Sequence, residues 1–193
     1  MTERLGPELW LARHGATEWS ESGQHTGRTD IPLTAKGRRQ AASLVKPLDR
    51  QAFALVLTSP LGRARETARL AGFADAVVET DLLEWDYGNY EGLTTAEIKK
   101  TVPGWNVWNG DMPGGETIEQ VAERATALLD RCEEVEGRVL FFAHGHILRI
   151  LAACCLGLGP RAGAQLAIEP ASVGVIGHEH ESRTLRRWNM PPT

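Results

Sequence analysis

Leu9-Trp10-Leu11-Ala12 is a short apolar run that ends abruptly at Arg13-His14-Gly15, and a second run, Arg138-Val139-Leu140-Phe141-Phe142-Ala143, ends in the same way at His144-Gly145. Short apolar runs that stop at a polar, glycine-containing turn indicate buried strands. Ligands of open α/β sheets bind outside the carboxyl ends of the strands. We therefore expect His14 and His144 to share one crevice, where each following glycine lets the backbone approach a ligand closely.

Strand and helix patterns alternate along the rest of the chain. Further strands are predicted over 53–57 and 76–78, and a late edge strand in the tail between 172 and 188. Helices are predicted over 35–48, 61–70, 95–100, 117–132 and 147–156, with N-caps at Thr34 and Thr117. This alternation predicts an α/β fold, a three-layer sandwich with a mostly parallel central sheet flanked by helices. We expect one domain over residues 1–193, in which residues 85–115 form a loop-rich cap over the site.

Composition limits the classes of partner. The 193 residues are 42% hydrophobic and carry a net charge of −4, which gives no electrostatic reason to expect a nucleic acid. Neither a signal peptide nor a membrane-spanning run is apparent, so we expect a cytoplasmic protein that does not interact with membranes. The three cysteines, Cys132, Cys154 and Cys155, are predicted to be buried and reduced. A homo-oligomer is possible, although no exposed stripe decides it.

An anionic ligand needs a local cluster of positive charge on this acidic chain. Arg13 adjoins His14, and Arg63 lies just beyond the strand that ends at Leu57. Guanidinium groups bind phosphate oxygens through two parallel hydrogen bonds. Arg13 and Arg63, together with the two strand-end histidines, are therefore predicted to form a phosphate pocket.

Four motifs, in this order, resemble those of the histidine phosphatase superfamily, the phosphoglycerate-mutase-like enzymes. They are Leu11-Ala12-Arg13-His14-Gly15-Ala16-Thr17-Glu18-Trp19, Thr58-Ser59-Pro60-Leu61-Gly62-Arg63-Ala64, Leu83-Glu84-Trp85-Asp86-Tyr87-Gly88 and Ala143-His144-Gly145-His146. A lone Arg-His-Gly would be weak evidence, but the four together are highly specific. They extend from residue 11 to residue 146, so the resemblance covers most of the chain.

The resemblance implies a role for each matching residue. His14 would be the nucleophile that takes up a phosphoryl group, and Glu84 the general acid for the leaving oxygen and then the base for water. Arg13, Arg63 and His144 would surround the phosphoryl group. The implied substrate-binding residues are Ser20, His25, Thr26, Gly27, Trp85, Tyr87, Gly145 and His146. Ser20 stands where many relatives have asparagine.

The connection between residues 85 and 143 resembles the phosphatase branch, namely broad acid phosphatases and sugar bisphosphatases of the sedoheptulose-bisphosphatase type. Mutases carry a longer basic insertion there, with a lysine where this chain has Thr95. The resemblance thus predicts a phosphomonoesterase that acts on small phosphorylated metabolites, sugar phosphates or bisphosphates, through a phosphohistidine. Neither a metal nor another cofactor is expected.

Three other functions are alternatives to a phosphomonoesterase. A cofactor-dependent phosphoglycerate mutase is the first alternative, and a module that binds a phosphate ligand without turnover is the second. A metal-dependent hydrolase is disfavoured, because no Asp or Cys set completes a coordination sphere around the His-x-His pairs 144/146 and 178/180.

Overall fold

A single six-stranded sheet organises the computed structural model, which describes residues 5–49 and 51–192. The strands are β1 (Glu8–Arg13), β2 (Leu55–Thr58), β3 (Val77–Val78), β4 (Arg138–Ala143), β5 (Val173–Glu179) and β6 (Ser182–Met190). Their order across the sheet is β3-β2-β4-β1-β5-β6. Strands β1 to β4 are mutually parallel, whereas β5 runs antiparallel to β1 and β6 antiparallel to β5. The predicted α/β fold with a mostly parallel central sheet is confirmed.

Helices cover both faces of the sheet. In the part of the chain that the structure describes, they are α1 (Glu18–Ser22), α2 (Ala35–Ser43), α3 (Val45–Asp49), α4 (Gly62–Leu70), α5 (Thr95–Thr101), α6 (Ile118–Cys132) and α7 (Gly145–Cys155). Short 3₁₀ helices span Thr80–Leu82, Gly88–Tyr90 and Pro160–Gln165. Helices α6 and α7 pack on one face, and α2, α3 and α4 pack on the other. None of the described helices is long and apolar enough to cross a bilayer.

The central strand β1 shows why both layers are needed. Its side chains alternate, so Leu9 and Leu11 join the core under α6 and α7, whereas Trp10 and Ala12 join the core under α3 and α4. All four are buried. A parallel strand that is covered on both faces is apolar throughout, which explains the continuous run in the sequence.

The structure differs from three sequence-based expectations. The predicted helix 35–48 is broken at Leu44 into α2 and α3, because Pro47 has no N–H to donate to the carbonyl of Ser43. The expected edge strand of the tail is a hairpin in which β5 is internal and β6 forms the edge. Helix α1 lies in a stretch where the sequence predicts neither a strand nor a helix, because the capping box between Thr17 and Ser20 starts a helix too short to show an apolar period.

Strand register places the two histidine motifs side by side. Residues of β1 and β4 pair in parallel up to Arg13 and Ala143, so His14 and His144 follow at the same edge of the sheet. The His14 N–H donates to the carbonyl of Ala143 at 2.9 Å, which extends the pairing into the site.

Candidate active site

The two strand-end histidines lie against each other at the carboxyl edge of the sheet. Their ring centroids are 5.1 Å apart, and both side chains are buried. The two histidines therefore meet at this edge, as expected, but of the two only His14 is among the residues that border the cavity there.

His14 presents a free ring nitrogen. Its Nδ1 lies 2.7 Å from the carbonyl oxygen of Gly15, which can only accept, so Nδ1 carries the proton and Nε2 holds a lone pair. Burial, followed by the positive charges of Arg63 and Arg13, holds the His14 pKa well below its usual value of 6.5. The imidazole is therefore neutral near pH 7, which is the form that acts as a nucleophile.

His144 is held at both ring nitrogens. Arg63 Nε donates to His144 Nδ1 at 3.0 Å, and His144 Nε2 donates to the hydroxyl of Ser59 at 2.7 Å. Burial, followed by the positive charge of Arg63, lowers the His144 pKa well below 6.5. His144 is thus a neutral ring with a fixed orientation.

Arg63 lies behind this pair rather than in the crevice. Its side chain is fully buried, and besides His144 it donates to the carbonyls of Thr29, Thr26 and Gly27 at 2.8, 3.2 and 2.9 Å. The resemblance implied that Arg63 surrounds the phosphoryl group directly. In the structure its guanidinium fastens the 26–29 loop and lies against His144, and Arg63 is not among the residues that line the cavity.

Arg13 has a donor directed at no protein acceptor. Its Nη1 donates to the carbonyl of Ile168 at 2.6 Å, while Nε is buried without a hydrogen-bond partner among the described residues. A buried donor without a partner costs about 1–3 kcal/mol. An anion bound beside Arg13 would satisfy it.

Glu84 sits at the N-terminus of α7. The backbone N–H groups of Ile147 and Trp85 donate to its Oε1 at 2.8 and 3.0 Å, and that of His146 donates to its Oε2 at 2.9 Å. A helix N-terminus favours a negative group, so these bonds fix the carboxylate next to Gly145. The side chain is only 4% exposed.

Arg13, His14 and Glu84 line one cavity of about 190 Å³. It is bounded by Arg13, His14, Ser20, Gly23, Gln24, His25, Thr26, Glu84, Tyr87, Gly145, His146, Arg149 and Ile168. Its volume suits a small ligand, since drug-sized pockets measure about 300–1,000 Å³. A neutral imidazole, an unpaired guanidinium donor and a carboxylate therefore face the same small space.

The model of the histidine phosphatase superfamily (branch 1) matches residues 9–191. The chain belongs to this superfamily. An acid phosphatase of Mycobacterium tuberculosis is 42% identical over 92% of this chain and 89% of its own length. A sedoheptulose 1,7-bisphosphatase of Saccharomyces cerevisiae is 38% identical over 80% of this chain and 69% of its own length. A solved structure of the product of an M. tuberculosis open reading frame superposes with a TM-score of 0.90 at 39% identity, covering 97% of this chain and 99% of that one. The names of these relatives support a phosphoric monoester hydrolase, as the sequence predicted.

Some residues implied by the superfamily resemblance lie elsewhere or are otherwise engaged. Gly27 does not line the cavity, because its N–H donates to Glu91 at 2.8 Å and its carbonyl accepts from Arg63. Trp85 is buried behind Tyr87, and its indole N–H donates to the carbonyl of Glu116 at 2.8 Å. Ser20 lines the cavity, but its hydroxyl is bonded to the backbone of Thr17 within the capping box of α1.

The far wall of the cavity holds a chain of polar rings. The Tyr87 hydroxyl and His146 Nδ1 form a hydrogen bond at 2.6 Å, and both groups are neutral, since burial raises the Tyr87 pKa well above 10 and lowers the His146 pKa well below 6.5. His25 Nε2 lies 3.2 Å from the hydroxyl of Thr95, and burial lowers the His25 pKa to about 4. These histidines offer neutral hydrogen-bonding groups to a ligand.

Arg149 is a further residue of the cavity lining, and the sequence motifs did not point to it. It donates from Nε to the carbonyl of Gly163 at 2.9 Å and from Nη2 to that of Ala164 at 3.0 Å, and its Cζ lies 4.5 Å from the centroid of the Trp108 ring. A signal for it exists, because Arg149 follows His146 by three residues on α7 and so shares its face.

The cysteines lie outside the cavity. Cys132 is buried, Cys154 and Cys155 are half-buried, and none forms a disulfide. Burial raises the pKa of the Cys132 thiol to about 11. Within residues 5–49 and 51–192, no group of three His, Cys, Asp or Glu side chains is arranged to hold a metal ion.

Proposed function

We propose that the protein is a phosphomonoesterase that hydrolyses small phosphorylated metabolites through a phosphohistidine on His14, with no metal required. One observation carries the proposal. The unprotonated Nε2 of a neutral His14 belongs to the same small cavity as the unpaired Nε of Arg13 and the carboxylate of Glu84. A nucleophile, an anion-binding donor and a proton carrier are the three parts that phosphomonoester hydrolysis requires.

In the first step, His14 Nε2 attacks phosphorus and a P–N bond forms as the bond to the ester oxygen breaks. Protonated Glu84 gives its proton to that oxygen, so the leaving group departs as an alcohol. The bond from His14 Nδ1 to Gly15 keeps the ring oriented and stabilises the positive charge that it acquires.

In the second step, a water molecule attacks the phosphorus of the phosphohistidine. Glu84, now a carboxylate, takes a proton from the water, the P–N bond breaks, and inorganic phosphate leaves. The step restores neutral His14 and protonated Glu84. Splitting one displacement into two in this way lowers the barrier that each step must cross.

The arginines supply the positive charge that the transferring phosphoryl group needs. Arg13 offers its free Nε–H directly, whereas Arg63 acts from behind His144, close enough to depress the pKa of both histidines. Preorganised charge of this kind does its work in a buried site, where it is weakly screened. We therefore expect phosphate release to continue in the presence of a chelator.

A sugar phosphate or bisphosphate is the substrate class that the cavity supports best. Arg149 and the neutral rings of His146 and His25 lie across the cavity as donors for hydroxyl groups or a second phosphate. The acid phosphatase and the sugar bisphosphatase among the relatives are consistent with this assignment. The mutase alternative needs a cation near Thr95, yet Thr95 is bonded to His25, and Lys99 and Lys100 are exposed on α5.

A phosphate-release assay in EDTA tests the proposal. Fructose and sedoheptulose bisphosphates, 3-phosphoglycerate and an aryl phosphate are compared, and mutase turnover is measured with 2,3-bisphosphoglycerate. We expect the wild-type protein to release phosphate in the presence of EDTA. The His14→Ala variant should lose this activity, whereas the His178→Gln variant, which is changed on β5 outside the cavity, should keep it. Mutase turnover without net hydrolysis would favour the first alternative, and inactivity on every ester would favour a binding module.

A further inference from the structure

Arg124 of α6 forms hydrogen bonds with the backbone of the segment that carries Glu84. Its Nη1 donates to the carbonyls of Asp81 and Leu83, each at 2.7 Å, and its Nη2 lies 3.3 Å from the carbonyl of Glu84. The remaining donors face Glu116, with Nε 2.9 Å from Oε1 and Nη2 3.1 Å from Oε2. The Arg124 side chain is only 13% exposed, so these bonds are largely shielded from water.

Glu116 completes the grip from the other side. Its Oε2 accepts the N–H of Asp86 at 2.9 Å, and its own N–H donates to the Asp86 carbonyl at 3.0 Å. Its carbonyl accepts the indole N–H of Trp85. Arg124 therefore binds backbone carbonyls on the N-terminal side of Trp85. Glu116 binds the indole of Trp85 and the backbone of Asp86.

Glu84 is consequently anchored at two ends by two different helices. Its carboxylate is bonded to N–H groups at the start of α7, whereas its own carbonyl is bonded to Arg124 on α6. Arg124 touches neither His14 nor the cavity lining except through Glu84 and its segment. Its charge adds a smaller contribution to the lowered pKa of His144, but its direct contacts act on the reaction through the placement of that carboxylate.

We propose that Arg124, braced by Glu116, is a positioning residue that holds Glu84 at the distance and angle required to protonate the leaving oxygen. The inference rests on the proposed function, since it concerns the general-acid step of that reaction. A planar fork with five donors satisfies three carbonyls and a carboxylate at once, which a lysine ammonium cannot reproduce. A misplacement of about 1 Å at a reacting group costs on the order of 100-fold in rate.

Leaving-group dependence separates positioning from a merely structural role. Dinitrophenolate departs without a proton, whereas a sugar alkoxide needs one, so only the sugar ester depends on a well-placed general acid. The quantity compared is kcat/KM, which reports the steps up to the first irreversible phosphoryl transfer. We expect Arg124→Met to lower kcat/KM for fructose 1,6-bisphosphate by about 30- to 100-fold and for 2,4-dinitrophenyl phosphate by about threefold or less. Arg124→Lys should fall between wild type and Arg124→Met on the sugar ester.

Arg131 provides a matched control on the same helix. It pairs with the side chains of Glu79 and Asp81 at 3.0 and 2.8 Å but is half exposed and touches no backbone group of Glu84. Arg131→Met should change kcat/KM by about twofold or less on both esters, in keeping with the small contribution of exposed ion pairs. If Arg124→Met does not fold, Glu116→Gln can be compared on the same two esters. It weakens the bonds between Arg124 and Glu116 but keeps an acceptor for the N–H of Asp86.

Equal losses on the two esters, or no loss on the sugar ester, would overturn the positioning role while leaving the proposed function in place. A wild-type enzyme inactive on both esters would instead overturn the proposed function, and the inference with it. A loss confined to the sugar ester in Arg124→Met or Glu116→Gln, and not seen in Arg131→Met, supports the inference.

Discussion

Replacing His25 by glutamine gives a quantitative test of how the cavity keeps its histidines uncharged. His25 is 9% exposed, and its ring packs on those of Tyr87 and Trp105 at centroid distances of 4.9 and 5.4 Å. Burial is the cause that lowers its pKa from 6.5 to about 4. Between pH 4 and pH 6.5, His25 is therefore protonated in the unfolded chain but neutral in the folded protein.

The sign and size of the effect follow from this difference. A group that takes up its proton only after unfolding makes the folded state less stable as the pH falls below 6.5. Each pH unit in that window corresponds to about 1.4 kcal/mol, so His25 should contribute a loss of about 2 kcal/mol between pH ~7.5 and pH ~5. Glutamine does not titrate, and His25→Gln should lack this part of the loss.

Urea unfolding of both proteins at the two pH values measures the difference. Any cost of the substitution that is independent of pH, including the lost bond to Thr95, cancels when the change with pH is compared rather than the stability itself. Thr95→Val is the matched control, since it removes the partner and keeps the imidazole, and it should retain the wild-type pH dependence. If wild type and His25→Gln lose the same free energy of unfolding, burial does not hold His25 neutral and the reasoning fails.

Three further predictions concern the cavity and its support. Catalysis needs neutral His14, and the pKa of His14 is lowered, so kcat/KM should stay high below pH 6.5 and fall only at more acidic pH. A pH–rate profile in which kcat/KM already falls at or above pH 6.5 would contradict this expectation. Arg149→Met should raise KM for sugar bisphosphates about tenfold or more and change KM for an aryl phosphate little, and equal shifts in steady-state kinetics would argue against a second anion contact. Gly15→Ala would place a Cβ 2.2 Å from the carbonyl oxygen of Gly37, so thermal unfolding should show a loss of about 1–3 kcal/mol or more, and an unchanged Tm would refute the close packing.

The layout of the site was predictable because its residues follow strands. An apolar run that ends in His-Gly locates His14 and His144 at strand ends, and the parallel pairing of β1 with β4 then brings them together. Helix α6 was equally predictable, since Thr117 is its N-cap as the sequence indicated, and Gln120 completes a capping box.

The parts that were not predictable depend on how loops meet helices. Nothing local indicates that the 26–29 loop turns its carbonyls toward Arg63, so the sequence did not reveal that this arginine anchors the loop. Strand β6 is polar along most of its length because it lies at the sheet edge, which removes the alternation that would have revealed it. The clamp of Arg124 on the Glu84 segment joins residues forty positions apart, and no short motif records it.

The position of β1 in the sheet also sets when the protein can become active during its synthesis. This strand is the first to leave the ribosome, yet its two neighbours, β4 and β5, begin at Arg138 and Val173. Strand pairs between such distant residues form slowly, because the entropy cost of closing the long loop comes before the contacts that stabilise the pair. Leu9–Ala12 therefore remains an unpaired apolar segment until β4 has been synthesised, a stage at which chaperones bind and aggregation competes. Since His14 meets His144 only when β1 and β4 pair, the return of phosphatase activity in a refolding experiment should report the closure of the sheet itself.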